Sequence, residues 1–351
     1  METTMKEALV TKHTTVTMHT VPIPTPAANQ LLVRVAACGL NPKDWKMPTH
    51  WPEDGTPTNQ GDDIAGYVET VGENVLGFHK GDRVAAFHQV MMPHGGYAEF
   101  AVVWDYTTFR IPDGISFEEA ATVPLAATTA ALGLYQHLSL PLPWNPTTEP
   151  LPMIIYGGAT AVGAFAIKFA GLSNIHPLIV VAGKGTHYVE TLIDRSKGDT
   201  IIDYREGSEA IRTKIRQAAG GKPIQYAYDA VGEHESQGNI ATCMTAPGRV
   251  ATVDLHADLT SPEGISMAMT MAGSVHFPPG DGKKVGDGEF AAATYQFMGR
   301  GLAQGWFSGH PVEVRPGGLG GLEAALRDLK AGKASAVKYV VRIGETAGLD
   351  K

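Results

Sequence analysis

The chain holds 351 residues, 43% of them hydrophobic and 18% charged, with a formal net charge of −8. That length exceeds what one hydrophobic core normally serves, so two domains are expected, and an acidic balance without any Lys/Arg block argues against a nucleic-acid-binding surface. Two cysteines, Cys38 and Cys243, make neither a disulfide framework nor a CxxC metal site, and they fit a reducing compartment. No stretch approaches the roughly 18 apolar residues of a membrane span, and residues 1–10 lack the apolar run of a signal peptide, so a cytoplasmic protein is expected.

In chain order, residues 30–38 (QLLVRVAAC) and 64–71 (IAGYVETV) read as strands. Further strands follow at 84–87 and 97–103, with Gly81-Asp82 and Gly95-Gly96 as breaks. Short strands at this spacing predict a compact, partly open β-barrel. After Pro124 the sequence turns Ala/Leu-rich, predicting a helix over 125–138, and a proline-rich loop follows over 141–152. From Met153 strands and helices alternate. Strands are expected at 153–156, 178–182, 200–203, 226–229, 249–254 and 273–277, with helices at 162–171, 188–196 and 208–219. Six such strands make a doubly wound parallel sheet of the Rossmann, dinucleotide-binding type. The tail reads as helices over 290–304 and 319–331 and a closing strand over 337–343 (VKYVVRI) that returns to the first domain. The expected layout is an α/β protein: a barrel domain from 1–125 and 286–351, interrupted by a Rossmann domain over 126–285.

The strand at 153–156 runs into Gly157-Gly158-Ala159-Thr160-Ala161-Val162-Gly163 and an apolar helix. A glycine turn between a strand and a helix N-terminus aims backbone N–H groups at a pyrophosphate. The strict GxGxxG string is absent: counted from Gly158, Thr160 stands at the middle glycine, where its hydroxyl could reach a phosphate oxygen. An NAD site places Asp or Glu about 20 residues beyond the turn to hold the ribose 2′-OH. Here the second strand meets Gly183-Lys184-Gly185-Thr186, with no acid before Glu190. A lysine and a hydroxyl suit the 2′-phosphate of NADPH; the plainer alternative for Lys184 is a solvated loop charge. Val253 and Asp254, ending the fifth expected strand, fall at the carboxyl edge where such sheets bind ligands.

Residues 37–44 (ACGLNPKD), 61–66 (GDDIAG), 81–84 (GDRV), 95–100 (GGYAEF) and the 157–163 turn resemble, in order and spacing, the medium-chain dehydrogenases and reductases. With the closing strand they span essentially the whole chain, and the resemblance implies a GroES-like catalytic barrel beside the Rossmann domain. Zinc alcohol dehydrogenases of that superfamily hold their catalytic metal with Cys, His and Cys. The matching positions here are Asn41, Asp62 and Leu125, and the four-cysteine structural zinc lobe is missing. Leucine has no donor atom and a neutral amide is a poor zinc ligand. His79, His88 and His94 lack the spacing or partners for a substitute site, so no metal is expected. The chain therefore resembles the zinc-independent quinone and enoyl reductases. Residues 138–151 (LSLPLPWNPTTEPL), 155–163 (IYGGATAVG) and Asp203-Tyr204-Arg205 are similar in particular to the trans-acting enoyl reductases of fungal polyketide clusters.

By that resemblance the Asn-Pro-x-Asp loop lines the nicotinamide. Asn41 and Asp44 carry over as catalytic, and Lys43, Trp45 and Lys46 as cofactor contacts; otherwise Asn41-Pro42 simply forms a turn. Thr129 matches a family threonine at the nicotinamide, unless it only back-bonds a helix carbonyl. Ala159, Thr160, Ala161 and Val162 match the pyrophosphate turn, and Lys184, Thr186 and Tyr204 match positions around the 2′-phosphate. Lys338 matches a position near the cofactor, with a solvated lysine as the alternative. Val275, His276 and Phe277 would face substrate or a dimer partner, although His276 reads more plainly as a surface or interface histidine. Tyr97 tempts as a proton donor but reads as a packed aromatic.

The implied reaction is hydride delivery from NADPH to the β-carbon of an activated alkene, leaving an enolate to be protonated. Three readings compete: an enoyl-thioester reductase, its substrate free or on a polyketide synthase acyl carrier; a small-molecule quinone or enone reductase in detoxification; and a catalytically silent NADPH-binding sensor or interaction module. A carrier-dependent enzyme calls for a basic patch, for which Lys43, Lys46 and Arg110 are candidates. A monomer or homodimer is expected, with neither nucleic acid nor membrane as partner.

Overall fold

The computed structural model describes residues 3–50, 52, 55–254, 261–278 and 287–349. The chain divides into two compact units, one formed by Met1–Leu125 with Gly273–Lys351 and the other by Ala126–Ala272. Among the described residues, no helix is long and apolar enough to cross a membrane.

In the first unit the strand Gln30–Gly39 is the organising element. It pairs antiparallel with Asp63–Val71, with Phe100–Trp104 and, near its C-terminal end, with Lys338–Arg342. Asp63–Val71 leads on to Arg83–Phe87 and Thr108–Arg110, and Lys338–Arg342 pairs with Val312–Arg315, completing a seven-stranded sheet. Leu31, Val33 and Val35 point with Ile64, Val68 and Val84 into one core. The helix Leu322–Lys330 adds Leu322, Ala325 and Leu326, whose helical spacing puts them on one face. A hairpin of Thr4–Val10 and Val16–Pro22, not expected from the sequence, forms a sheet of its own.

The second unit is a six-stranded sheet, parallel throughout. Its spatial order is Thr200–Asp203, Leu178–Ala182, Met153–Tyr156, Tyr226–Asp229, Gly248–Thr252, Ile265–Met269. Every residue of Met153–Tyr156 and Leu178–Ala182 is buried, as central strands covered on both faces require. The helix Ser208–Ala219 packs Ile211, Ile215 and Ala219 against this sheet and ends at Gly220 in the left-handed conformation. The chain order first turns outward from the central strand, then restarts on its other side, leaving the carboxyl end of Met153–Tyr156 at the switch point where such sheets bind ligands.

Several expectations need correction. The segment 273–277 is not the sixth strand: Ala272–His276 is a 3-10 turn, and Ile265–Met269 holds the sixth position. From Gly273 the turn belongs to the first unit, and the boundary expected at 285 lies outside the described residues. The reason is local packing: Tyr106 donates to the Val275 carbonyl (3.3 Å) and Thr107 Oγ1 meets His276 Nε2 (3.2 Å). The strand expected at 97–103 starts only at Phe100, because Tyr97 turns inward, its N–H on Asn59 Oδ1. The fifth strand stops at Thr252, whose hydroxyl donates to the Asp254 carbonyl (2.6 Å) and folds the chain over. The helix expected at 188–196 covers only Thr186–Glu190, since the Asp194 carboxylate accepts from Ser196 N–H and opens a separate turn.

The helix Pro124–Ala131 continues into a π-helical turn, Leu132–His137. Gly133 lies directly under the buried Tyr228 ring, whose hydroxyl donates to the Thr129 carbonyl (2.8 Å). A methyl at Gly133 would occupy the ring's place. Gly133→Ala is therefore expected to lower stability by about 1–3 kcal/mol, measured by urea unfolding.

Candidate functional site

The candidate nucleotide edge of the second unit is shaped by close backbone approach. Gly157 has φ +82°, and a Cβ at Gly158 would strike the Val180 side chain. A Cβ at Gly163 would strike the Gly157 carbonyl oxygen, so the helix Ala161–Leu172 can start against the turn only with glycine there. The N–H groups of Gly157 and Gly158 both donate to the Val181 carbonyl (2.9 and 3.0 Å), which ties the turn to the second strand. Thr160 is the helix cap: its hydroxyl oxygen accepts from Gly163 N–H at 3.0 Å. That bond uses the oxygen and leaves the hydroxyl proton to donate. Ala159, Ala161 and Val162 complete the turn and the helix's first positions, where N–H groups have no partner within the helix.

Beyond the second strand Gly183 is buried and Lys184 exposed. Tyr204, half exposed, lies with its ring against Gly183, where any side chain would collide with it. Thr186 opens the short helix that follows. The nearby carboxylates are already paired. Glu190 accepts from Arg195 (2.6 and 2.9 Å), and Asp203 accepts from Arg205 (2.5–3.0 Å), which holds Asp203 down at about 2. Val253 N–H donates to the Asp229 carbonyl, and Asp254 lies against Gly232. Asp229, buried, accepts from Val231 N–H and Gly232 N–H (both 3.1 Å) and from Ser236 Oγ (2.8 Å). It thereby shapes the loop at Val231, which packs on Gly157.

The first unit gathers most of the other expected residues into one buried lattice. Asp44, Asp62 and Asp63 are all 1% exposed or less. Lys43 Nζ reaches Asp44 Oδ1 (2.8 Å), Asp62 Oδ2 (2.5 Å) and the Gln60 carbonyl (3.0 Å). Burial opposes the charge on Lys43, but Asp44 and Asp62 outweigh it and raise its pKa. Asp62 also meets His88 Nδ1 (2.8 Å), and His88 Nε2 meets the Pro93 carbonyl (3.0 Å). Against the penalty of burial, Lys43 and His88 pull the Asp62 carboxyl below its ordinary value. Asp44 accepts from Asn41 N–H (2.8 Å) and from Tyr97 Oη (2.6 Å); burial, partly offset by Lys43, leaves its pKa raised. Tyr97 is fully buried, and burial together with Asp44 keeps its phenol protonated as that donor.

The second half of the lattice centres on Asp63. Its Oδ2 accepts from Asn41 Nδ2 (2.7 Å) and Lys338 Nζ (2.5 Å), and its Oδ1 accepts from Leu125 N–H (2.7 Å). Lys338 Nζ donates as well to Asn41 Oδ1 at 2.8 Å. Lys338 is thus buried rather than solvated, because two acceptors hold it inside. Trp45 and Lys46 sit on the helix Lys43–Thr49, with Lys46 Nζ 5.9 Å and Lys330 Nζ 5.4 Å from the Trp45 ring centroid. Lys43 and Arg110, two of the candidates for a basic patch, are paired with aspartates, Arg110 with Asp82 at 2.8 Å. In the second unit Thr129 is buried on the helix Pro124–Ala131, its carbonyl taken by Tyr228.

His276 is not a surface histidine. It is 8% exposed and sits beside Phe87 and Tyr106, with ring centroids 5.1 and 5.9 Å away. Its Nδ1 is buried with no hydrogen-bond partner among the described residues. Val275 is buried beside it, whereas Phe277 is exposed. Sequence reasoning does not find Asp63, His88 and Tyr97 as members of the lattice. The available signal is Asp62-Asp63 at the head of a strand with a buried face, since adjacent acids there demand adjacent cations.

Residues 27–113 match the alcohol dehydrogenase GroES-like domain. The chain is 43% identical over 318 residues to the trans-enoyl reductase fsr4 of Gibberella fujikuroi, covering 90% of this chain and 91% of that one. It is 31% identical to the trans-enoyl reductase ACTTS2 of Alternaria alternata, over 97% and 99% of the two chains. A quinone oxidoreductase of Pseudomonas syringae pv. Tomato DC3000 has the same fold at 19% identity, with a TM-score of 0.74 over 96% and 99% of the chains.

Burial, reinforced by His88, lowers the His276 pKa from 6.5 to about 4, so the folded ring stays neutral where the unfolded one takes up a proton. The folded state is at full advantage above about 6.5 and loses it as pH falls toward about 4. Between pH 7 and pH 5 the wild type should lose about 2 kcal/mol more stability than His276→Phe, measured by urea unfolding at both pH values. Equal losses would show that His276 is not held neutral.

Proposed function

This chain belongs to the medium-chain dehydrogenase/reductase family, and from that premise we propose that it is an NADPH-dependent, metal-free reductase of activated C=C bonds, acting on an enoyl thioester. The observation that carries the reading is a contrast between two places. The turn Gly157–Gly163 keeps glycine where its neighbours leave no room for a Cβ and caps the following helix with Thr160, while the side chains at the positions matching the family's zinc ligands are either internally paired or hydrocarbon. Leu125 offers only a hydrocarbon side chain, both ends of the Asn41 amide are taken, and Asp62 is shared between Lys43 and His88. That donor set does not fit zinc.

The cofactor's part is to supply hydride to the β-carbon of the conjugated carbonyl. In the second unit the N–H groups of Ala161 and Val162 and the Thr160 hydroxyl proton would hold the pyrophosphate. Lys184 and Thr186 would hold the 2′-phosphate, with the Tyr204 ring beside Gly183 forming the adenosine wall. The carboxylates of Glu190 and Asp203, which would otherwise oppose a dianion, are each paired with an arginine. In the first unit Asn41 would orient the nicotinamide through the amide N–H that Asp63 does not use. Orientation of this kind can supply several kcal/mol of the barrier without an acid–base residue. Tyr97 is committed to Asp44, so protonation of the enolate falls to solvent or to a ribose hydroxyl. The activity for which the relatives are named, trans-enoyl reduction, favours an enoyl thioester delivered by a synthase as the substrate class.

NADPH should bind more tightly than NADH, and Lys184→Ala should reduce that preference by about 1.5–3 kcal/mol, measured by titration of both cofactors. Equal affinities in the wild type would refute the 2′-phosphate assignment. Metal analysis should find no stoichiometric zinc, and chelation should leave turnover unchanged; one zinc per chain lost together with activity would overturn the metal-free reading. With deuterated NADPH, mass spectrometry should place deuterium at the β-carbon of an enoyl thioester, turned over faster than a simple enone or quinone. If the enone or quinone is faster, the detoxifying reductase is the better account. If nothing is reduced while NADPH is bound, the chain is a binding module.

A further inference from the structure

We infer that Asp63 and Lys338 form a buried orienting clamp that fixes the Asn41 amide in one of its two flip states. The inference rests on the reading that Asn41 faces the nicotinamide, and goes beyond it by assigning positioning roles to two residues that would not touch cofactor or substrate. The chemistry of the partners decides the flip. An ammonium only donates and an ionised carboxylate only accepts. With Lys338 Nζ at 2.8 Å from Asn41 Oδ1 and Asp63 Oδ2 at 2.7 Å from Asn41 Nδ2, the flipped amide would set N–H against ammonium and C=O against carboxylate. One N–H of the amide remains, with a fixed direction.

The clamp also ties the two other elements together. Asp63 Oδ1 accepts from Leu125 N–H, so Asp63 joins Asn41, Leu125 and Lys338 into one unit. Positions 41 and 125 are two of the three that match zinc ligands in the superfamily. A carboxylate paired with an ammonium therefore makes the cross-link between them. Gly39 packs closely against both partners as well as the Ala121 backbone: a Cβ there would meet the Ala121 carbonyl oxygen first, at 2.4 Å, then Lys338 Cε at 2.9 Å and Asp63 Cβ at 3.1 Å. Asp63 and Lys338 are 0% and 4% exposed, so the clamp works in a low-dielectric site where each bond is strong and an unpaired partner costly.

The test uses the full chain and the variants Lys338→Met, Asn41→Ala and the double variant, with Lys338→Gln, which keeps a donor, as a milder change. Two readouts are taken. The first is the side-chain amide resonance pair of Asn41 in a ¹⁵N–¹H spectrum, identified by its loss in Asn41→Ala. It should shift and broaden in Lys338→Met and recover partly in Lys338→Gln. This readout needs no turnover, so it tests the clamp even if the proposed reaction is wrong. The second is kcat with an enoyl thioester: Lys338→Met should lower it by up to about 100-fold at nearly unchanged NADPH affinity, and should add little to Asn41→Ala. An unmoved Asn41 resonance in a folded Lys338→Met overturns the clamp. Additive losses in kcat overturn the claim that Lys338 acts through Asn41. If Lys338→Met does not fold, Lys338→Gln carries both readouts: a shifted Asn41 resonance supports the clamp and an unmoved one overturns it. Absence of turnover in the wild type would count against the reductase reading alone.

Discussion

Burying a carboxylate is costly unless a cation or several donors come with it, and the first unit buries three aspartates within one loop system, Asp44, Asp62 and Asp63. Much of the local architecture follows from satisfying them. Lys43 is drawn back from the helix Lys43–Thr49 onto Asp44 and Asp62, and Lys338 is drawn in from the first position of the closing strand onto Asp63. Tyr97 leaves the sheet to cap Asp44, and His88 closes the open side of Asp62. Removing one member leaves the others charged and unpaired, which for buried pairs costs about 3–5 kcal/mol. The loop at Asn41–Asp44 is therefore held in place by charge pairing and not through apolar packing alone.

The second unit meets a different constraint. Its candidate site is made by bringing backbone close to backbone, and steric room decides which residues can stand there. Gly158 and Gly163 have no space for a Cβ, and Gly157 needs a positive φ. Thr160 interrupts the glycine pattern without disturbing it, because the cap position has extended φ and ψ of −71° and 159° that any residue adopts. The substitution exchanges a close approach for a hydroxyl, so the turn departs from the familiar string while keeping its shape.

This contrast explains how far the sequence can be read. Strands such as 178–182 and 200–203 and the helix 208–219 are legible to the residue, since their apolar runs and periodicity are local properties. The glycine turn is legible because steric demand writes itself into residue type. The charge lattice is not, for its partners are 22, 26, 53 and 275 residues apart along the chain. The polarity of Lys338 and His276 suggests exposure, yet both are buried by partners that sequence proximity does not reveal. The segment 273–277 misleads in the opposite way: its β-favouring composition suits a strand, but Thr107 and Tyr106 hold it to the first unit.

The lattice also bears on the kind of electrophile the proposed reaction can accept. A zinc ion polarises an otherwise unreactive carbonyl because part of its charge remains uncompensated by its ligands. The ammonium groups of Lys43 and Lys338 do not have that surplus, since Asp44, Asp62 and Asp63 lie within 2.5–2.8 Å of them. Their field is spent on holding the loop. In the proposed reductase the site therefore orients more than it activates, and the substrate must carry its own electron sink. A conjugated thioester does so, because hydride addition at its β-carbon places the developing charge on the thioester carbonyl within the substrate itself. An isolated ketone or aldehyde gives no such delocalisation and would need a Lewis acid, which this donor set does not fit, or a positioned proton donor, and Tyr97 is already committed to Asp44. In the proposed reaction, the same charge pairing that holds the loop would thus favour, through what it cannot supply, substrates already activated by conjugation.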